Sequence, residues 1–234
     1  WAAECAKRIR RNNGRRGAYD SLMATRHIAP VLALVLIGCA PPTDTRTGPM
    51  HTDTFAVERD NSEFLRVDIT MKAGELRLSG GAAKFLEGSA TSNIEASRPV
   101  VKFSSTAGHG NLSVEPPPSV PMNVDNAKYR WDLRLPDDIP VDLNVGLGAG
   151  EAKLNAGSML LRKIEVRMGA GRLELDLRGH PRRNYDVRVR GGVGEAVIRL
   201  PKDAGIYAAA TGGLGSINVT GLRKDGDHWV NDVY

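Results

Sequence analysis

Thiol chemistry is almost absent from this chain: its two cysteines, Cys5 and Cys39, both lie among the first 39 of 234 residues. Everything after them therefore lacks a disulfide, a thiolate metal ligand or a cysteine nucleophile. Aromatic residues make up only 5% of the sequence, sparse material for a sugar-binding ladder of stacked rings. Long apolar runs are missing too. The segment Ile28–Ile37 is broken by Pro30, and its length of about ten residues is half of the roughly 20 that a membrane-spanning helix needs. No stretch shows a capped apolar stripe of period 3.6, so helices are not expected to build the fold.

What the first residues do contain is an ordered set of export features. From Met23 the chain reads MATRHIAPVLALVLIGCAPP, a short positive segment, an apolar core and then Leu36-Ile37-Gly38-Cys39. Such an arrangement describes a removable signal, not fold-forming sequence. Leu36, Ile37 and Gly38 before Cys39 resemble the lipobox of bacterial lipoproteins, whose cysteine thiol is diacylglycerated and becomes the new amino terminus. Two or three acyl chains would anchor the protein stably, where one alone binds marginally. Residues 1–22 are then expected to be upstream or misassigned sequence, the alternative being an arginine-rich arm for nucleic acid or anionic lipid. Residues 23–38 are the expected lipoprotein signal.

This partition changes the meaning of the charge. The whole chain has a net charge of +5 and a pI near 9.4. Residues 1–38 hold seven Lys/Arg and two Asp/Glu, which leaves 25 charges of each sign in the remainder. The exported part is formally neutral, and no nucleic-acid partner is implied.

Beyond Cys39, residues 39–55 are rich in Pro, Thr and Gly and are expected to form an extended tether. Apolar and polar residues then alternate at period two, as in Val67-Asp68-Ile69, Trp131-Asp132-Leu133-Arg134-Leu135 and Val141-Asp142-Leu143-Asn144-Val145. Alternation of this kind predicts half-buried strands and an all-β fold.

A repeat lies on top of the alternation. GLGAGEAKL at 146, RMGAGRLEL at 167, RGGVGEAVI at 190 and TGGLGSINV at 211 share G-x-G followed by alternating apolar residues. Their glycine pairs are Gly148 and Gly150, Gly169 and Gly171, Gly192 and Gly194, and Gly213 and Gly215, with the second glycines 21, 23 and 21 residues apart. AGELRLSG at 73 and HGNLSVEP at 109 echo the unit at wider spacing. A period near 21 residues predicts a stacked, single-stranded β-helix-like β-solenoid, each unit made of two short strands, whose G-x-G turns accept positive φ and close backbone approach. Residues 56–140 are expected to form an N-terminal part and residues 141–234 the repeat solenoid, the latter truncated at its C-terminal end. Outward charges on stacked rungs should form ladders of both signs.

Several chemistries fail on these residues. A dinucleotide fingerprint needs a third glycine or alanine and then a helix; the corresponding positions are Lys153 and Glu174, followed by strand patterns. The calcium-binding solenoid repeat needs an aspartate where Ala196 and Ile217 stand, and aliphatic side chains offer calcium no oxygen. Asp137-Asp138 sits between prolines and reads as a turn, while His109, His180 and His228 fall in loop-like stretches without ligand spacing. GHPRRNYD, 179 to 186, is a basic loop, and no Gly-x-Ser-x-Gly or His-Glu-x-x-His motif occurs. No catalytic residue, metal site or cofactor is expected. Polysaccharide binding remains open, with Tyr185, Tyr207 and Trp229 as scattered candidate platforms, whereas Trp131 is expected in the core.

The segments FLRVDITMKAGELRLSGGAAKFLEGSATSN, GHGNLSV, WDLRLPDDIPVDLNVGLGAGEAKLNAGSMLLRKIEVRMGAGRLELDL and GGVGEAVIRLPKDAG together resemble the toast-rack domain. The resemblance is strongest to the form in which a toast-rack amino-terminal part precedes a LiaF-like, adhesin-like solenoid. It covers about residues 60–230, and it implies a β-solenoid at the cell surface or in the periplasm. Related domains belong to proteins of envelope-stress and antibiotic-response signalling, or of adhesion, and often carry membrane helices that this chain replaces with a lipobox. The resemblance supplies no catalytic residue. The expected protein is a non-catalytic envelope module, held to the membrane through acylated Cys39 and engaging an envelope protein. Glycan binding or a polysaccharide-active solenoid is the alternative, and a structural adhesin associating through open solenoid ends is a third.

Overall fold

The computed structural model describes residues 47–118, 126–212 and 215–234, all within one compact unit, Thr43–Tyr234. No helix occurs among the described residues. Nine strands share one sheet: β1 (His51–Val57), β2 (Phe64–Ser79), β3 (Leu86–Ser92), β4 (Val100–Thr106), β5 (His109–Glu115), β6 (Tyr129–Arg134), β7 (Val141–Asn155), β8 (Leu161–Asp176) and β9 (Asp186–Arg199). Three short strands, β10 (Tyr207–Ala208), β11 (Arg223–Asp225) and β12 (His228–Val230), form a second, antiparallel sheet.

The rungs are β2, β7, β8 and β9, stacked parallel along nearly their whole lengths. Each is one long bent strand, not the pair of short strands that the repeat suggests. The bend has a consequence for side-chain direction. In β2 the buried residues are Leu65, Val67, Ile69 and Met71 before the bend, then Leu76 and Leu78 after it. A straight strand with strict alternation would send Arg77 inward. The glycine bend shifts the phase by one residue, so both arms turn their apolar rows toward the same core. β7 does the same with Val141, Leu143, Val145 and Leu147, then Ala152 and Leu154. Short returns complete each coil: Ala156 and Met159 between β7 and β8, and Leu177 between β8 and β9, are all buried.

Gly74, Gly150, Gly171 and Gly194 stand in register, with φ of 130°, 124°, 126° and 138°. A Cβ on Gly150, Gly171 or Gly194 would lie 2.0, 1.9 or 1.8 Å from the carbonyl oxygen of the glycine one rung before. The first glycine of each pair is required for a related reason. A Cβ at Gly148, Gly169 or Gly192 would fall 2.3 Å from the carbonyl oxygen of Lys72, Gly148 or Gly169. Glycine is thus needed for backbone conformation and for rung spacing at once.

The first rung explains its own departure from the pattern. On its other side β2 meets two different strands: β5 pairs with Phe64–Ile69 and β6 with Glu75–Ser79. No ladder crosses the bend there, and the G-x-G position can be Lys72. β4 extends the sheet beyond β5, while β3 and then β1 extend it beyond β6. Gly110 in HGNLSVEP is therefore no corner: it pairs with Leu65 inside a straight arm. Its Cβ would be crowded by the Phe103 and Leu65 side chains at 3.0 and 3.1 Å.

Two further boundaries differ from the sequence reading. The tether expected over residues 39–55 overlaps β1, since His51–Phe55 pair with Gly88–Ser92 of β3. The division between residues 140 and 141 does not separate two bodies, because β2 pairs with β7 over both arms. The fourth G-x-G tooth is also different. Gly215 has the corner φ of 125°, yet its neighbours among the described residues form no strand, and Gly213 lies outside the described residues. Trp131, expected in the core, is fully buried, with Tyr129 edge-on to its ring at 5.5 Å.

Candidate functional site

The lipobox residues Leu36, Ile37 and Gly38 and the candidate acylation site Cys39 lie outside the described residues. Gly148, Gly150, Gly169, Gly171, Gly192 and Gly194 are brought together as two columns along the solenoid corner, a structural line without a polar side chain. The functional candidates are consequently the outer faces of the two arms and the exposed ends.

On the first arm, Glu165 of β8 is only 5% exposed although it points outward. Lys163 approaches it at 2.9 Å, Arg167 at 2.6 Å and Arg190 of the next rung at 3.5 Å. The hydrogen bond from Lys163, assisted by the charges of Arg167 and Arg190, holds its carboxyl below the ordinary glutamate range. Nearby, the pairing of β7 with β8 shifts register, so Arg162 has no opposite residue. Its guanidinium lies 4.4 Å over the Phe64 ring and 3.5 Å from Asp142, as an extra residue in a bulge can. Sequence spacing gave no sign of this bulge.

The second arm presents a broader polar face. Ser89, Asp132, Arg77, Lys153 and Glu174 stand side by side across β3, β6, β2, β7 and β8. A parallel row contains Glu87, Arg134, Ser79, Asn155 and Asp176. Many ion pairs run along a strand at i, i+2, not across rungs: Arg77–Glu75 at 2.6 Å, Arg130–Asp132 at 2.9 Å and Lys153–Glu151 at 3.1 Å. Cross-rung pairs join Arg172 to Glu195 at 3.6 Å and Arg199 to Glu174 at 3.7 Å. Being exposed, each contributes little to stability, commonly under about 1 kcal/mol. Their effect is a flat surface carrying both signs, with a shallow trough between Arg77, Ser79, Glu87, Ser89, Arg134 and Asn155.

Asp137, Asp138 and His109 are held in structural contacts. Asp138 accepts two hydrogen bonds from Arg59, at 2.7 and 2.6 Å, which lower its pKa. Asp137 accepts from Ser158 Oγ at 2.9 Å, and its backbone carbonyl accepts from Arg182. The two carboxylates thus clamp different loops and do not face one another as an acid–base couple. His109 packs edge-on to Phe64 at 5.5 Å, and exposed His180 lies 3.4 Å from Asp203. Among the described residues, no three His, Cys, Asp or Glu side chains form a group that could hold a metal ion.

One grouping was invisible in the sequence spacing. The short sheet brings Tyr207 to 4.4 Å from the His228 ring and 5.6 Å from Tyr234. Tyr207 and Tyr234 are 58% and 71% exposed, so two of the sparse aromatics share one surface. Trp229 lies on the opposite side of β12, near Lys224, and Tyr185 is half-buried against the main core.

Residues 46–199 match the profile of the N-terminal domain of toast_rack, DUF2154. The chain belongs to the toast-rack family. A solved structure of a candidate cell adhesion protein from Clostridium sporogenes superposes on this toast-rack chain with a TM-score of 0.75 and 28% identity, covering 80% of this chain and 89% of the other. A candidate adhesin from Bacteroides fragilis is 12% identical and covers 64% of this chain and 97% of its own, but with a TM-score of 0.21. A candidate lipid binding protein from Parabacteroides distasonis is 10% identical over 64% and 97%, with a TM-score of 0.24. No curated protein matches the chain. Among the described residues no helix is long and apolar enough to cross a membrane.

Proposed function

We propose that this toast-rack protein is a non-catalytic binding module of the bacterial envelope, anchored through acylated Cys39, that holds a protein partner against the polar face of its second arm. The observation carrying this reading is the in-register row Ser89–Asp132–Arg77–Lys153–Glu174. Backbone ladders hold its members at about 4.8 Å spacing, so a complementary surface meets charges already positioned. Mixed charge at such a face selects a partner and its register more than it adds raw affinity. Similarity to the Clostridium sporogenes protein supports an adhesion role, and the lipobox residues support the anchor.

The test is chemical crosslinking on intact host cells producing the tagged full-length chain, with Arg77→Glu/Lys153→Glu and Cys39→Ala variants alongside. The reading expects one recurrent protein partner that is lost in the charge-reversed variant, and transfer of the Cys39→Ala chain out of the membrane fraction. Recovery of the same partner at the same yield after charge reversal would remove the second-arm face from the account. A glycan-binding reading is favoured by the Tyr207–His228–Tyr234 cluster alone, because exposed rings can stack on sugar faces. Glycan-array binding abolished by Tyr207→Ala would establish it in place of the protein partner.

A further inference from the structure

β9 is built like the earlier rungs but lacks what covers them. Its core-directed residues align with buried residues of β8: Val187 with Ile164 and Ile198 with Leu175. Ile164 and Leu175 are fully buried, whereas Val187 and Ile198 are 39% and 41% exposed. The outer backbone edge of β9, fourteen residues long, has no partner among the described residues. An apolar end joined to a free strand edge is a surface that attracts another strand.

The chain contains a segment suited to that surface. Moving 21 residues on from β9 places Gly215 at the position of Gly194, Ser216 at Glu195, Ile217 at Ala196 and Val219 at Ile198. Ala210 falls at Val189, so Ala210, Ile217 and Val219 each meet an apolar row. Gly215 already has a φ of 125°, matching the 124–138° of the corner glycines in β7, β8 and β9. Among the described residues a Cβ there would meet nothing within 4 Å, unlike the stacked corner glycines of β7, β8 and β9. Ile217 is 47% exposed. The linker is also suitable: nine residues, Leu200–Ala208, lie between β9 and the segment, as many as the nine of Leu177–Tyr185 that join β8 to β9.

We infer that the free edge and apolar end of β9 form a docking surface whose occupant is the chain's own segment flanking Gly215, Ala209–Gly212 and Gly215–Thr220, added as a further parallel rung. The short linker makes docking within one chain entropically favoured over docking between copies. The docked segment caps the solenoid and protects its edge from self-association. Release of it would leave a strand-accepting end. This inference is independent of the partner assigned to the second-arm face.

Hydrogen exchange on the unmodified full-length chain tests the docking. Docked, the amides of Ile217 and Val219 exchange on the order of 100-fold more slowly than unstructured amides; exchange at the unstructured rate overturns the inference. A cysteine pair then identifies which copy supplies the segment. In a Cys5→Ser/Cys39→Ser background, Glu195→Cys is combined with Ser216→Cys, and the control combines Arg172→Cys with Glu195→Cys, residues already opposite each other. Adjacent-strand Cα atoms about 4.8 Å apart are within disulfide reach. The inference expects both pairs to close as monomers on non-reducing gels. A Glu195/Ser216 pair that closes only between chains assigns the surface to a second copy, and one that stays reduced while the control closes leaves the segment undocked. Either result overturns docking within one chain.

Discussion

Replacing Gly171 by alanine tests the corner most sharply. The substitution imposes two costs. A φ of 126° is disfavoured for any residue with a Cβ, by about 1–3 kcal/mol. The new methyl would also sit 1.9 Å from the Gly150 carbonyl oxygen and 2.9 Å from its carbon. Both are backbone atoms inside the ladder, so no side chain can swing away and a rung must move. Together these costs predict a loss of at least about 3 kcal/mol, among the larger single-site effects. In urea, with a slope of about 2 kcal/mol per molar, the unfolding midpoint should fall by roughly 1.5 M. Gly191→Ala is the internal control, since its Cβ would meet nothing within 4 Å and its φ is not positive. It should stay within about 0.5 kcal/mol of the parent. Equal midpoints for the two variants would refute the stacked-corner argument.

Other consequences can be measured on the same footing. Trp131→Ala empties a fully buried site and should cost about 3–5 kcal/mol in urea unfolding. Because Glu165 is held below its ordinary pKa by Lys163, Arg167 and Arg190, it stabilises the fold above about pH 4.3, the free-glutamate value. That contribution is lost as pH falls through its lowered folded value. Thermal melts of Glu165→Gln should therefore lie below the parent at pH 7 and converge with it in acid; a gap that is independent of pH would contradict the ion-cluster reading. Tyr129 is pushed up to about 12 by burial, and its hydroxyl donates to the Ser97 carbonyl at 2.6 Å. The parent should lose stability as pH rises from about 10, the free-tyrosine value, while Tyr129→Phe should flatten that alkaline decline.

The parts of the fold legible in the sequence were those with local physical signatures. Alternation marked the strand arms because each arm buries one face. The repeated glycines were visible because every rung meets its neighbour at the same backbone position. Long-range pairing left no such mark. Gly74 lies 76 residues before Gly150, yet the two are in direct register, because the intervening strands β3–β6 build the opposite end of the stack. Gly110 imitated a corner since a glycine crowded by Phe103 and Leu65 looks, in sequence, like one required by φ. The phase shift at each bend was concealed for a similar reason: both arms alternate, and only their meeting point shows that the count has slipped. On the candidate faces, the individual charges could be read, but not their neighbours. Glu165 is nearly buried because three cations from two strands fold over it, and Tyr207, His228 and Tyr234 meet through the pairing of β10 with β12 and through Asn231, whose side-chain oxygen accepts from the Ile206 and Tyr234 N–H groups.

β7 carries the outer faces of both arms on a single strand. A photo-crosslinking amino acid placed at Lys153 would sample the second-arm face, and one at Asn144 the first, with the chain otherwise full-length and in its own host. The account predicts a discrete protein adduct from position 153 and none from position 144. An adduct from position 144 alone, or equal adducts from both, would contradict it.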